Sequence, residues 1–168
     1  GVQDRVDLLF GTFSKSLASL GGFVAGDAFV VDFIKATAPP MIFSAAMTPS
    51  NAAAALAALE VMETEPEHLQ RLQDTMHYMR NGFRRLGYDV PDTPSAILPL
   101  IVGEDHDTFV TWRRLFDEGV FVNAVVATAV PAGMGMMRTS YMASHTKEQL
   151  DRCLEVFSRI GQELHLVR

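Results

Sequence analysis

The chain has 168 residues, of which 48% are hydrophobic and 20% are charged, a balance that predicts a packed core and excludes extended disorder. Its net charge of −6 argues against a nucleic-acid-binding protein, because such proteins present a basic surface to the phosphate backbone. No apolar run approaches the roughly 20 residues that span a bilayer, so we expect no transmembrane segment, and only peripheral contact with a membrane stays open.

The N-terminal part of the chain is predicted to contain two short strands followed by two helices. Asp27 is the expected N-cap of the first helix, which Pro39 and Pro40 end, and the apolar residues 41–47 are predicted to be extended. The alanine-rich second helix has almost no polar side, so we expect it to be buried on most faces. The strands are predicted at 6–10 and 22–25, and the helices at 27–35 and 49–62.

The rest of the chain predicts a long amphipathic helix and then a small α/β layer. Thr64 and Glu67 have the spacing of a capping box, and the apolar stripe of the long helix follows them. Pro99 favours an edge position for the next strand, and Thr146 with Gln149 has the spacing of a second capping box. Beyond residue 87 the predicted order is a strand at 96–102, a helix at 108–118, strands at 120–126 and 136–141, and a helix at 146–164.

The segment 11–23 is the most informative part of the chain, because it places Lys15 among small residues between an apolar strand and a glycine pair. Thr12 lies three residues before the lysine, where its hydroxyl could bind a phosphate. Gly21 and Gly22 allow close approach of the backbone. These neighbours suit a lysine that binds pyridoxal 5'-phosphate covalently.

Two other interpretations of this lysine are possible on sequence grounds. In the phosphate-binding loop of nucleotide hydrolases, glycine directly precedes the lysine and a second glycine stands five residues earlier. Ser14 and Leu9 occupy those positions here, so that motif is excluded. On these residues alone, an ordinary surface lysine stays open.

Three further residues bear on the cellular compartment, on metal binding and on processing of the chain. Cys153 is the only cysteine and cannot form an internal disulfide, so we expect a cytoplasmic protein. His106 lies among acidic residues, but no second histidine is placed to complete a metal site, and no metal is predicted. The chain begins with Gly1 rather than methionine, so we expect a processed or truncated protein.

The lysine segment resembles that of the α-oxoamine synthases, a family of fold-type I pyridoxal-phosphate enzymes. The resemblance continues in order along nearly the whole chain and implies an α/β fold, the C-terminal part of such a transferase. Residues 1–65 would then be the C-terminal part of the large cofactor-binding domain, and 66–168 the linking helix and the small C-terminal α/β domain. The further similar segments are 41–49, 119–123, 129–131, 137–140 and 143–146.

The resemblance implies a role for four residues. Lys15 would bind the cofactor covalently and move protons at the substrate α-carbon. Thr12 would hydrogen-bond the cofactor phosphate, and Ser44 would reach the phosphate of the neighbouring subunit's cofactor in a homodimer with shared active sites. Arg138 would hold the amino-acid carboxylate, for which its forked guanidinium is suited.

Within the family, the sequence is most similar to bacterial members that condense L-serine with a long-chain acyl-coenzyme A, releasing carbon dioxide and coenzyme A. This implies a pyridoxal-phosphate-dependent acyltransferase of sphingoid-base synthesis. Ala127 and Thr128 stand where some serine-using members have arginine and proline, so related synthases that use glycine or alanine stay open. A noncatalytic fragment or partner subunit is a further alternative.

Two family residues are expected upstream of this segment. They are an aspartate against the pyridine nitrogen of the cofactor and a histidine stacked on its ring, and neither is among these 168 residues. We therefore expect the isolated chain to be inactive.

Overall fold

The computed structural model describes residues 1–167, which divide into two compact units, Gly1–Pro66 and a second unit that begins at Glu67. The first unit contains a short 3₁₀ turn at Gln3–Arg5, strands β1 (Leu8–Thr12) and β2 (Gly22–Gly26), and helices α1 (Ala28–Thr37), α2 (Pro39–Ile42) and α3 (Pro49–Thr64). The second contains helix α4 (Glu67–Arg85), strand β3 (Ile97–Gly103), helix α5 (Asp105–Asp117), strands β4 (Asn123–Val125) and β5 (Gly135–Ser140), and helix α6 (Lys147–Glu163).

The first unit is built on an antiparallel hairpin in which Thr12 of β1 lies opposite Gly22 of β2. Asp27 caps α1 as predicted, because its carboxylate accepts a hydrogen bond from the Phe29 amide at 2.9 Å. Thr48 caps α3 in the same way through the amide of Asn51. The two strands of the hairpin fix the backbone on either side of the segment that contains Lys15.

Two helical predictions for the first unit are wrong. Helix α1 ends directly before Pro39 and Pro40 as predicted, but the two prolines form the first turn of α2, where no helical hydrogen bond needs their amide hydrogens. Met41 and Ile42 are therefore helical rather than extended. The capping box at Thr64 and Glu67 does not form as predicted. Thr64 instead belongs to the last turn of α3, where its hydroxyl donates to the carbonyl of Glu60 at 2.8 Å.

Apolar side chains cover much of the first unit's surface. The prediction that α3 is buried on most faces is wrong for this chain, since Ala55 is its only buried residue. Phe29 on α1 and Phe43 after α2 are 80% and 85% exposed. Among residues 1–167, nothing packs over these side chains closely enough to bury them. The apolar sequence of α3 therefore does not lead to a buried helix within this chain.

The second unit contains a three-stranded antiparallel sheet in the order β3-β5-β4, with the core on one face. The predicted edge position of the Pro99 strand is confirmed, because β3 pairs only with β5. Leu98, Leu100 and Met137 are fully buried against the helices. Phe83, Tyr88 and Phe157 form an edge-to-face cluster in this core, with ring centroids 5.0–5.9 Å apart.

Two element boundaries in the second unit differ from the prediction and a third agrees with it. The predicted strand at 120–126 is observed only at Asn123–Val125, and the carbonyl of Val122 before it accepts a hydrogen bond from the Trp112 indole at 3.1 Å. Helix α5 begins at Asp105, three residues before its predicted start. The capping box at the start of α6 is confirmed in both directions, between Thr146 and Gln149.

No helix within residues 1–167 is long and apolar enough to cross a membrane.

Helices α4 and α6 are joined by a polar cluster that makes stability depend on pH. Asp151 accepts hydrogen bonds from Lys147, at 2.7 Å, and from the Tyr78 hydroxyl, and these two bonds lower the pKa of the Asp151 carboxyl. A lowered folded-state pKa adds stability above the unfolded value of about 3.9, and this contribution is lost as the pH falls through the folded value. We therefore expect Asp151→Asn to lower the melting temperature at pH 7, and to lower it by progressively less as the pH falls below the unfolded pKa of about 3.9.

Thermal unfolding followed by circular dichroism at several pH values measures this effect. Asp89→Asn is the matched control, because Asp89 is exposed and has no hydrogen-bonded partner among residues 1–167. An equal loss for Asp151→Asn at pH 7 and at low pH would contradict the assignment.

Candidate active site

Lys15 lies in the loop that joins β1 to β2, and the loop is held by its own backbone. The amide of Phe13 donates to the carbonyl of Gly21 at 3.0 Å, and the amide of Ser19 donates to the carbonyl of Phe13 at 2.9 Å. A tight turn follows the lysine, because the Ala18 amide donates to the Lys15 carbonyl at 2.9 Å. The lysine side chain is exposed on this fixed turn.

The chain has three lysines, Lys15, Lys35 and Lys147, and they differ in their partners. Lys35 lies 3.5 Å from Asp32, and Lys147 lies 2.7 Å from Asp151, a contact that raises the pKa of Lys147. Lys15 alone has no carboxylate within ion-pair distance among residues 1–167. Lys15 is therefore the lysine whose amine is not held by a carboxylate and is available to a ligand.

Two hydroxyls lie beside the lysine on the same loop. The Thr12 and Ser14 side-chain oxygens are 2.9 Å apart, and Thr12 also accepts a hydrogen bond from the Ser14 amide. Both side chains are exposed. The structure therefore brings together two of the predicted site residues, Thr12 and Lys15, and adds Ser14, which the sequence analysis used only to exclude another motif.

The glycines after the lysine are required by the hairpin itself. Gly21 has a φ of +102°, a conformation that side-chain-bearing residues rarely adopt. A side chain at Gly22 would collide with the carbonyl oxygen of Gly11 on the facing strand. The close backbone approach predicted for this pair is therefore an approach between β1 and β2.

Ser44 lies in the bend directly after α2, with its side chain exposed. It belongs to the first unit, as Thr12 and Lys15 do. Its hydroxyl has no hydrogen-bonded partner among residues 1–167. It is therefore free to contact a ligand or another chain, and its predicted role stays a prediction.

Arg138 belongs to the second unit, on the central strand β5, and points away from the core. Its neighbours Met137 and Thr139 are buried, whereas Arg138 is exposed. Across the sheet it lies opposite Pro99 of β3 and Asn123 of β4. The guanidinium makes no ion pair or hydrogen bond within residues 1–167, whereas the guanidinium of Arg80 on the core side of the same unit is paired with Asp92 at 2.9 Å.

Hydroxyl hydrogen bonds on the core side of the sheet hold strand β5, which carries Arg138. Thr139 donates to the carbonyl of Leu98 at 2.9 Å, and the Tyr141 hydroxyl donates to Thr139 at 2.8 Å. Burial raises the pKa of Tyr141 well above its ordinary value, so this hydroxyl keeps its proton. These bonds hold β5 in register with β3 and set the direction of the Arg138 side chain.

Asn123 is a polar neighbour of Arg138 that the sequence analysis included only within a family-like strand. The two residues are cross-strand partners on β4 and β5, and both are exposed on the same face of the sheet. Fifteen positions separate them in sequence. Only the register of the two strands reveals that they are neighbours, so no local sequence signal could have found the pair.

Three further titratable residues of the second unit differ in burial and contacts. The His145 ring nitrogen Nδ1 accepts a hydrogen bond from the Met142 amide at 3.2 Å. His106 is exposed in the first turn of α5. Burial raises the pKa of the Cys153 thiol to about 12, which disfavours the reactive thiolate.

The lysine loop fits pyridoxal 5'-phosphate by the chemistry of its donors. An exposed amine without a carboxylate partner suits a carbonyl-bearing cofactor, and two adjacent hydroxyls suit its phosphate. An unpaired guanidinium on an open sheet face suits a carboxylate substrate. Within residues 1–167, Lys15, Ser44 and Arg138 have no hydrogen-bonded partner for their side chains. The Thr12 hydroxyl is exposed but already lies 2.9 Å from the Ser14 hydroxyl and 3.4 Å from the Gly21 carbonyl oxygen.

Comparison with known proteins identifies the family. The model of the family "Aminotransferase class I and II" matches residues 1–157. The chain belongs to this family. The relation to α-oxoamine synthases predicted from the lysine segment is confirmed by the curated relatives.

Two curated relatives match nearly all of the chain. Serine palmitoyltransferase of Sphingobacterium spiritivorum is 46% identical over 166 residues, which are 99% of this chain and 42% of that protein. An 8-amino-7-oxononanoate synthase of Alkaliphilus oremlandii is 37% identical over 167 residues, with the same coverage of 99% and 42%. The chain thus spans about 42% of the length of these relatives.

A solved structure shows the same fold. A lysine-to-alanine variant of serine palmitoyltransferase from S. paucimobilis, with a bound PLP–myriocin aldimine, superposes with a TM-score of 0.90 at 28% identity. The match covers 99% of this chain and 42% of that one. The predicted fold class is confirmed: the chain has the α/β structure of the C-terminal portion of a fold-type I transferase.

Proposed function

We propose that this chain is the lysine-bearing part of a pyridoxal 5'-phosphate-dependent acyltransferase that condenses L-serine with a long-chain acyl-coenzyme A. Carbon dioxide and coenzyme A are released, and the product is the 3-oxo amine of sphingoid-base synthesis. The observation that carries the proposal is the accessible Lys15 amine, without a carboxylate partner, beside the Thr12 hydroxyl. The 46% identity to a serine palmitoyltransferase supports serine as the amino acid.

The first unit would hold the cofactor, which when bound supplies an electron sink for the substrate α-carbon. Lys15 binds the cofactor and moves a proton to and from that carbon. Thr12 donates a hydrogen bond to the cofactor phosphate. Ser44 does the same for the cofactor of the second subunit, so the proposal includes a homodimer with shared active sites.

The second unit would orient the amino acid. Arg138 holds the substrate carboxylate with two parallel hydrogen bonds, and a charged hydrogen bond of this kind is worth roughly 1.5–3 kcal/mol. Held there, the α-carbon keeps one orientation while its proton is removed and the thioester carbonyl is attacked. Residues 1–65 are accordingly assigned to the large cofactor-binding domain and 66–168 to the linking helix and small domain.

A related synthase that uses glycine or alanine is the second candidate. It is favoured by Ala127 and Thr128, which depart from the pattern of some serine-using members, and by the 37% identity to an 8-amino-7-oxononanoate synthase. Both candidates use the same lysine, hydroxyls and arginine. They differ only in the amino-acid side chain that the site accepts.

The proposed function is tested with the full-length protein that contains this segment. The protein is loaded with pyridoxal 5'-phosphate, and release of the coenzyme A thiol from palmitoyl-coenzyme A is measured with serine, glycine or alanine. We expect serine to give the highest kcat/KM. A preference for glycine or alanine would select the second candidate, and no thiol release with any amino acid would refute both.

The isolated 168-residue chain is expected to show no turnover in the same assay, since its cofactor site lacks the groups predicted to contact the pyridine nitrogen and ring. Turnover by this chain alone would overturn that expectation.

A further inference from the structure

The face of the second unit's sheet that carries Arg138 is not part of the hydrophobic core of this unit. Side chains on the opposite face, such as Leu98, Leu100 and Met137, are buried against the helices. On the open face the alternate residues are exposed or half-buried and do not belong to that core. These residues are Ile97, Pro99 and Ile101 on β3, Asn123 and Val125 on β4, and Met136, Arg138 and Ser140 on β5.

Strand register arranges part of this face in two neighbouring rows. The apolar row consists of Ile101, Met136 and Val125, in which Met136 pairs with both of the others. The next row places Arg138 between Pro99 and Asn123. Two residues along a strand separate the rows, a distance of about 6.5–7 Å.

The apolar row is not part of the core. Each of its three side chains is half-buried and lies outside the hydrophobic cluster, whereas the residues next to them in sequence, Val102, Ala124 and Met137, belong to it. Part of the apolar surface of this row is therefore exposed. The unpaired cation in the next row favours a ligand that also carries a negative charge.

The proposed reaction forms a molecule that has both a carboxylate and an apolar chain. The bond that forms joins the amino-acid α-carbon to the acyl carbonyl carbon, and the bond to the coenzyme A sulfur breaks. With bonds of about 1.5 Å, the first methylene of the acyl chain is then three bonds, roughly 4 Å, from the carboxylate carbon. A carboxylate bound to Arg138 therefore places the start of the acyl chain within reach of the next row.

We infer that the apolar row of Ile101, Met136 and Val125 binds the acyl chain of the thioester substrate beside Arg138 and favours long chains over short ones. This inference rests on the proposed function. The side chain of serine has a single carbon and cannot cover three apolar residues, whereas an acyl chain can. Each buried methylene contributes to affinity, so chain-length preference is the property that this row would control.

The test uses the full-length enzyme with Val125→Thr and Met136→Gln, which add a polar group with little change of shape. Met136→Leu is the conservative variant, and Ile97→Thr is the matched control on the same face but on the other side of Arg138. We measure kcat/KM for palmitoyl- and butyryl-coenzyme A. We also measure by calorimetry the binding of the unreactive S-hexadecyl and S-butyl thioethers of coenzyme A.

Val125→Thr and Met136→Gln are expected to lower the long-to-short ratio of kcat/KM, and of affinity, by roughly five- to tenfold each. Met136→Leu and Ile97→Thr should keep the wild-type ratio, and KM for the amino acid should change little. Unchanged ratios in active, folded variants would overturn the inference and leave the proposed function standing. A wild-type enzyme without condensation activity would overturn both.

Discussion

Lys15→Ala is expected to lower kcat of the full-length enzyme by at least about a thousandfold. Lys15 both binds the cofactor and moves the α-proton, and proton transfer by a positioned side chain alone contributes roughly 10²–10⁴-fold. Steady-state release of coenzyme A measures the loss. Lys35→Ala is the matched control, since Lys35 is also exposed in the first unit but is paired with Asp32.

A second measurement separates loss of the cofactor bond from general damage. Borohydride reduction of the loaded enzyme, followed by peptide mass spectrometry, should place the phosphopyridoxyl group on the peptide that contains Lys15. Lys35 and Lys147 are the other lysines of this segment, and each is held by a carboxylate. A label on either of them, or a Lys15→Ala variant that keeps a tenth or more of the wild-type kcat, would refute the assignment.

Local sequence signals predicted the elements that depend on near neighbours. The Asp27 cap and the Thr146–Gln149 capping box were predictable because all of their atoms lie within a few residues of one another. The edge strand at Pro99 followed from the amide hydrogen that proline lacks. In each case the interaction that decides the structure depends on residues close together in sequence, so the local sequence pattern reveals it.

The errors at β4 and α3 lie where contacts between separate elements contribute to the structure. The Trp112 indole of α5 donates to the Val122 carbonyl before β4, a contact that no periodicity reveals. The apolar pattern of α3 predicts burial, but burial depends on which other residues pack against the helix, and among residues 1–167 only Ala55 becomes buried. A hydrophobic pattern reports that a surface avoids water, not which partner covers it.

In the candidate site, too, the features set by near neighbours were predictable and those set by distant residues were not. Thr12 and Lys15 were found together because they lie three residues apart on one loop, and the structure adds the hydroxyl of Ser14 between them. Whether Arg138 forms a surface ion pair or remains available to a substrate could not be decided from its strand. The structure shows it unpaired on the open face, across from Asn123, within the part of the chain that it describes.

Arg138→Lys is expected to lower kcat/KM for the amino acid by roughly 10- to 100-fold, mainly through a higher KM. Lysine keeps the positive charge but cannot form the two parallel hydrogen bonds of the guanidinium, whose charged hydrogen bonds are worth roughly 1.5–3 kcal/mol. KM for the acyl thioester should change by less than about threefold, since that substrate has no carboxylate to place at this residue. Steady-state kinetics with each substrate varied in turn measures both values.

Arg113→Lys is the matched control for this prediction. Arg113 is an exposed arginine of the same unit, but its guanidinium is paired with Asp117 at 2.7 Å on helix α5. Its replacement should leave both KM values unchanged. If Arg138→Lys raised KM equally for the amino acid and the thioester, Arg138 would be contributing to the site as a whole rather than binding the carboxylate. The proposed binding of the carboxylate by two parallel hydrogen bonds from the Arg138 guanidinium would then be wrong.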